Sequence, residues 1–299
     1  MAHRTHNAVK WQTVAVESAL FSPDVVFLLA ALLDARDLCQ VSLTCKALGG
    51  KRKQAAVDVY NGLSLIEESA RRQFECASEW ERSCLKKYDG EGWIELYHHL
   101  LMLRSKLTFD QLVGSNIQYG EDQSIVQTIP GRWRWSSALC SNHVMRSGRH
   151  FAAFTITGGG GNSYADIGVI RPVQINRSDF DDGELDEFSP GLSRFWRCLR
   201  AKSTDRWSDS IVHCCAVDRR GSICCCYDWT SQRPKRMIDE PISPTGLLLD
   251  LDEGALSLYQ NGQRLATLKD RLSGEYCWYA EFFGDCPISI ELGSAPGDR

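Results

Sequence analysis

The stretch Ala255-Leu256-Ser257-Leu258-Tyr259-Gln260-Asn261-Gly262-Gln263-Arg264-Leu265 decides the fold class. Asn-Gly between two alternating runs calls for positive φ at both turn positions, which is the signature of a two-residue β-hairpin. Asp252-Glu253-Gly254 supplies a second turn just upstream, so Gly246–Leu251, Ala255–Tyr259 and Arg264–Leu268 read as a three-strand meander.

The same texture extends in both directions. Phe151–Thr157, Ile167–Ile170, Ile211–Val217, Ser222–Tyr227, Tyr276–Phe282 and Ile288–Leu292 are short runs rich in Phe, Ile, Val, Thr and Tyr. Clusters of Gly, Pro, Asn and Asp separate them. Many short strands with frequent turns predict an antiparallel β-sandwich or barrel from about Gly114 onward. The acidic stretch Asn176–Pro190, with Asp179, Asp181, Asp182, Glu184, Asp186 and Glu187, reads as an exposed insertion. Trp278, inside an apparent strand, reads as core.

Upstream of Gly114 the periodicity is helical. Leu65, Ile66, Ala70, Phe74 and Ala77 recur at helical spacing among charged residues, and Asp89-Gly90-Glu91-Gly92 breaks the pattern. Trp93, Leu96, Tyr97, Leu100 and Leu103 then form one stripe.

The chain has 299 residues, a length that fits one or two domains, and its net charge of −4 lacks the basic footprint of a nucleic-acid binder. The charge is balanced over residues 1–110, so the excess acidity belongs to the β half. No window holds ~18 consecutive apolar residues, so no membrane span is expected. Met1–Lys10 carries no apolar stretch of the secretory type. The 13 cysteines are therefore expected as thiols in a reducing compartment, cytoplasmic or nuclear. Lys51-Arg52-Lys53 is the one short basic run.

Tests for chemistry give little. Gly158-Gly159-Gly160-Gly161 lacks the Lys-Ser/Thr ending of a phosphate loop. His213-Cys214-Cys215 and Cys224-Cys225-Cys226 invite zinc, but no Cys-x-x-Cys occurs, and adjacent residues of a strand face opposite ways. Core packing is the expected use of these thiols. Asp179, Asp181 and Asp182 lack the spacing of a calcium loop. His98 and His99, one apart on a helix, do not share a face. No metal, cofactor or catalytic constellation is expected, and the chain reads as a non-enzyme.

One N-terminal segment stands out. Phe21-Ser22-Pro23-Asp24-Val25-Val26-Phe27-Leu28-Leu29-Ala30-Ala31-Leu32-Leu33 precedes Asp34-Ala35-Arg36-Asp37-Leu38, and Val41, Leu43, Cys45-Lys46 and Leu48 follow. Ser22 suits an N-cap, Pro23 the first helical position, Asp37 the cap of a second helix, and Gly49-Gly50 its end. This helical pair carries more apolar surface than it can bury alone.

With Pro23, Asp37-Leu38 and Cys45-Lys46 in place, the segment resembles an F-box. The β half resembles a SPRY domain. Gly148-Arg149-His150 stands before a strand, Asp166-Ile167-Gly168-Val169-Ile170 resembles a family strand, and Gly246–Gly262 resembles its strand-turn-strand with the Asn-Gly hairpin. The resemblances imply an α+β chain: an N-terminal segment 1–20, an F-box-like helical module 21–50, a helical linker 51–114 and an antiparallel SPRY-type β-sandwich 115–295.

An F-box implies docking on a Skp-family adaptor in an SCF-type, cullin-based ubiquitin ligase, and a SPRY domain implies protein binding. Together they imply a substrate receptor that acts by proximity. Pro23, Phe27, Leu28, Leu38, Val41 and Cys45 would then form or support the adaptor-facing surface. Tyr164, Trp207, Trp229, Arg233 and Lys235 are the candidates for target binding on exposed loops. Two alternatives stay open: a SPRY scaffold unrelated to ubiquitination, and a sandwich that binds a small molecule or glycan.

Overall fold

The structure is a computed structural model that describes residues 22–44, 46–50, 62–158, 163–180, 186–219, 223–236 and 245–294. Cys45, the run at 51–53 and Gly159–Gly161 lie outside them. The chain divides into two compact units between Arg104 and Ser105, upstream of the junction expected at Gly114. Among the described residues no helix is long and apolar enough to cross a membrane.

The first unit is helical: α1 (Pro23–Ala30), α2 (Ala35–Thr44), α3 (Lys46–Gly49), α4 (Leu65–Glu75), α5 (Glu79–Cys84) and α6 (Trp93–Arg104). Pro23 occupies the first turn of α1, where its missing N–H costs nothing. The second cap differs from expectation. Asp34, rather than Asp37, caps α2 by accepting the Asp37 backbone N–H at 2.8 Å.

The helical pattern of residues 63–85 is two helices, because Ser78 and Glu81 form a reciprocal capping box that restarts the chain at α5. Leu38, Leu65, Ile66, Ala70, Leu96 and Leu100 form the core of this unit. Inside it Glu68 is buried and held ionised by Arg71 at 2.7 Å and Arg72 at 2.8 Å. Those hydrogen bonds set its carboxyl below the ordinary range despite burial.

The second unit contains fourteen described strands in two antiparallel seven-stranded sheets. They are β1 (Gln111–Val113), β2 (Ile117–Tyr119), β3 (Ile125–Thr128), β4 (Ser136–Leu139), β5 (Arg149–Ile156), β6 (Tyr164–Ile170), β7 (Cys214–Asp218), β8 (Ile223–Tyr227), β9 (Gln232–Arg236), β10 (Thr245–Asp250), β11 (Ala255–Gln260), β12 (Gln263–Lys269), β13 (Cys277–Phe283) and β14 (Ile288–Leu292). One sheet runs β1-β4-β13-β6-β7-β8-β9, the other β12-β11-β10-β5-β14-β3-β2. The meander is present, and Asn261 (φ 50°) and Gly262 (φ 76°) make the turn its sequence demands.

Two cores flank the first sheet. Val169, Leu247, Leu249, Leu258, Ile288, Phe154 and Trp278 fill the space between the sheets, with Trp278 edge-on to Phe154 at 6.1 Å. On the other face, Ile170, Cys214, Cys277 and Tyr279 pack under Phe188, Phe195, Leu199, Trp207 and Trp229. Most of this cover comes from the excursion between β6 and β7, which includes helix α7 (Ser193–Ala201).

The acidic stretch is therefore more than an exposed insertion. Its Phe188 is buried, and it leads into the helix that seals the sheet. Because β13 is covered on both faces, it reads as a nearly continuous apolar run rather than an alternation.

A buried arginine ties this cover to the far loop. Arg171 donates to the carbonyls of Ser273 (2.9 Å), Glu275 (2.9 Å) and Ser210 (3.1 Å) while its guanidinium lies over the Tyr276 ring.

Candidate functional site

Strand alternation builds a patch at one end of the first sheet. On β6, Tyr164 and Asp166 share the face that carries Ile170, and on β13 Phe283 and Glu281 share the face that carries Tyr279. Register sets Tyr164 opposite Phe283 and Asp166 opposite Glu281. Trp133 and Trp135 enter from the segment before β4. The rings converge: Trp135–Phe283 at 5.5 Å, Trp133–Phe283 at 5.7 Å, Trp135–Tyr164 at 6.3 Å and Tyr164–Phe283 at 6.4 Å.

These aromatics are not core. Tyr164 is 59% and Trp133 53% exposed, and exposed Arg132 and Arg134 flank them. Clustered exposed aromatics beside arginines have the composition of interface anchors. Gly284 (φ 82°) makes room for the cluster, since a Cβ there would lie 2.8 Å from the Trp133 ring. Glu187 braces it from the side, accepting the Trp135 backbone N–H at 3.4 Å and pairing with Arg194 of α7 at 3.0 Å.

Beneath the rings sits a carboxyl pair. Burial raises both Glu281 and Asp166, and the charges of Glu281 and of Asp218 on β7 raise Asp166 further. Burial favours the protonated form of each carboxyl, so the patch floor is less negative than its composition suggests.

The five target-binding candidates divide. Tyr164 belongs to the patch. Trp207 and Trp229 do not lie on exposed loops: they are 2% and 0% exposed and pack with His213 in a triangle of rings, with centroids 5.4 Å (Trp207–His213), 4.8 Å (His213–Trp229) and 5.7 Å (Trp207–Trp229) apart. They are core because the β6–β7 excursion and the Asp228–Ser231 turn fold back onto the sheet. The His213 imidazole in that cluster is held neutral by burial, at about 4. Arg233 and Lys235 lie on the edge strand β9, where their backbone is described and their side chains are not. Trp133, Trp135 and Phe283 carry no sequence signal of their place, because nothing local distinguishes a rim aromatic from a core one.

The helical unit has its own exposed surface. Leu28 is 72%, Leu32 82% and Leu43 75% exposed, and Leu29 is about half so. Val26 and Ala30 take the inward face of α1. Of the adaptor-surface candidates, Leu28 is open. Pro23, Phe27 and Val41 are half-buried, with Phe27 under the Arg72 guanidinium at 3.9 Å. Leu38 is fully buried, so it supports the surface from within and presents nothing to a partner. Leu29, Leu32 and Leu43 lie outside the candidate set and belong to the open surface. Their sequence signal is that α1 and the residues after it are apolar around more than one stripe.

No family model matches the sequence, and no curated protein matches it. Solved structures similar to the chain include the TRIM65 PSpry domain at 12% identity, covering 65% of this chain and 94% of that one with a TM-score of 0.40. The SPRY domain of human HERC1 is similar at 14% identity, with coverage of 61% and 98% and a TM-score of 0.38. The stonustoxin structure is similar at 13% identity over 62% of this chain and 26% of that one, with a TM-score of 0.36.

Proposed function

We propose that this chain is a protein-interaction receptor with two contact surfaces. In this reading the Trp133/Trp135/Tyr164/Phe283 patch holds a segment of a target protein. The observation that carries it is the exposure of Tyr164 and Trp133 within a converging ring cluster on a rigid sheet end. The finer reading is a substrate receptor of an SCF-type ubiquitin ligase. Leu28, Leu29, Leu32 and Leu43 would dock on a Skp-family adaptor, and Pro23, Phe27, Leu38 and Val41 would hold their helices in place. The F-box resemblance and the open leucines support it.

Such a receptor contributes no chemistry of its own. It raises the concentration of target lysines near the ubiquitin carrier. Co-purification of the full chain with a Skp-family adaptor, compared with a Leu28→Asp/Leu32→Asp variant, tests the ligase reading. Loss of adaptor in the variant is expected, and an adaptor that binds neither protein leaves a scaffold unrelated to ubiquitination.

A further inference from the structure

Three thiols converge between β7 and β8. Neighbours on a strand face opposite ways, so Cys224 and Cys226, two apart on β8, share a face, with Cys225 turned to the other. Register sets Cys226 directly opposite Cys215 of β7. The sulfurs meet: Cys215–Cys226 at 3.0 Å, Cys215–Cys224 at 3.6 Å and Cys224–Cys226 at 4.0 Å.

A triangle with these sides has a circumradius of about 2.1 Å. Thiolate bonds to zinc are about 2.3 Å. An ion standing about 1 Å out of the sulfur plane is therefore at bonding distance from all three Sγ atoms with the backbone where it is.

We infer that Cys215, Cys224 and Cys226 form a trithiolate site for a thiophilic closed-shell metal ion, Cu(I) or Zn(II). All-sulfur, three-donor coordination selects soft ions over Mg²⁺ or Ca²⁺. Cys215 and Cys224 are fully buried, while Cys226 is partly exposed and gives the ion its way in. For Zn(II) the same open side admits a water as fourth ligand.

The metal-free Cys215 thiol resists ionisation. Its hydrogen bonds with Cys224 and Cys226, then burial, push the Cys215 thiol well above its ordinary range. Three thiolates in contact need a cation among them. Loading replaces the three S–H protons, which pass to solvent, by one ion, so occupancy rises with pH. No electron is transferred.

The test uses the full chain, reduced and metal-free. Co(II), as a zinc probe, is followed by its thiolate charge-transfer absorption, and Cu(I) is delivered from a chromophoric chelator that reports transfer. One equivalent of one of these ions is expected. Cys226→Ser and Cys224→Ser should weaken it at least ~10-fold, and Cys225→Ser, on the opposite face of the same strand, should leave it unchanged.

Far-ultraviolet circular dichroism of the metal-free variants checks folding. Should Cys224→Ser unfold, the partly exposed Cys226→Ser carries the test. The site is overturned by the absence of stoichiometric binding of either ion, or by equal affinity of wild type and Cys226→Ser. It is also overturned by a Cys215–Cys226 disulfide in chain purified without reductant when the reduced chain binds no metal.

Discussion

Trp135 and Phe283 pack as tilted rings with centroids 5.5 Å apart, joining the segment before β4 to the end of β13, and Tyr164 closes the group from β6. The rings support one another but leave much of Trp133 and Tyr164 to solvent. Replacing either exposed ring by Ala should change stability by no more than ~1 kcal/mol, since little buried surface is lost. The same change should weaken target binding ~10-fold or more, the scale of an interface anchor. Thermal melts and affinity measurements on the same preparations separate the two effects. Gly284→Ala should lower both, because its backbone is left-handed and the new methyl meets Trp133.

The helical unit predicts the opposite division. Leu38 is fully buried, so Leu38→Ala should cost ~2–5 kcal/mol of stability. Leu32→Asp changes an 82% exposed side chain and should cost less than ~0.5 kcal/mol while abolishing adaptor capture. Denaturant midpoints beside pull-downs read both.

Arg171 donates to three backbone carbonyls from a fully buried position. Removing it strands those acceptors, at about 1–3 kcal/mol each before relaxation. Arg171→Ala should therefore destabilise the β unit by ~3–5 kcal/mol. Arg171→Lys should recover little, because an ammonium cannot span the three carbonyls in one plane. A urea titration of each variant checks this.

Glu281 titrates at about 7 in the folded chain, raised by burial from its ordinary 4.5. Between those values the folded state keeps a proton that the unfolded chain has released. Its contribution is complete below pH 4.5 and is lost as pH rises to about 7. Glu281→Gln stays neutral throughout, so the variant should gain stability over wild type, by about 3 kcal/mol at most, between pH 5 and pH 8. Urea midpoints at the two pH values measure the difference. A gain at pH 5 that does not grow by pH 8 contradicts the buried pair.

The legible parts of the fold are those with local physics. Asn261-Gly262 announces its own turn, and Trp278 reads as core because its neighbours are apolar as well. β4, Ser136-Ser137-Ala138-Leu139, has no β signature of its own and is a strand because β1 and β13 flank it. β9 carries Pro234, which an edge strand accepts because a proline there gives up no ladder bond. Helix α7 is masked in the sequence by the acidity of the preceding loop, although Phe195 and Leu199 stand four apart.

Of the rim patch only Tyr164 is legible in the sequence. Tyr164 and Phe283 meet through strand register, as do Cys215 and Cys226, and Trp133 joins the rings from the segment before β4. Pairings of that kind are set by tertiary structure and leave no trace in local spacing.

The most direct test of the two-surface receptor is quantitative affinity purification of three full-length chains: wild type, Leu28→Asp/Leu32→Asp, and Trp133→Ala/Tyr164→Ala. The helical variant should lose the Skp-family adaptor and keep the target proteins, and the rim variant should keep the adaptor and lose the targets. Identical partner profiles from all three chains would contradict the account.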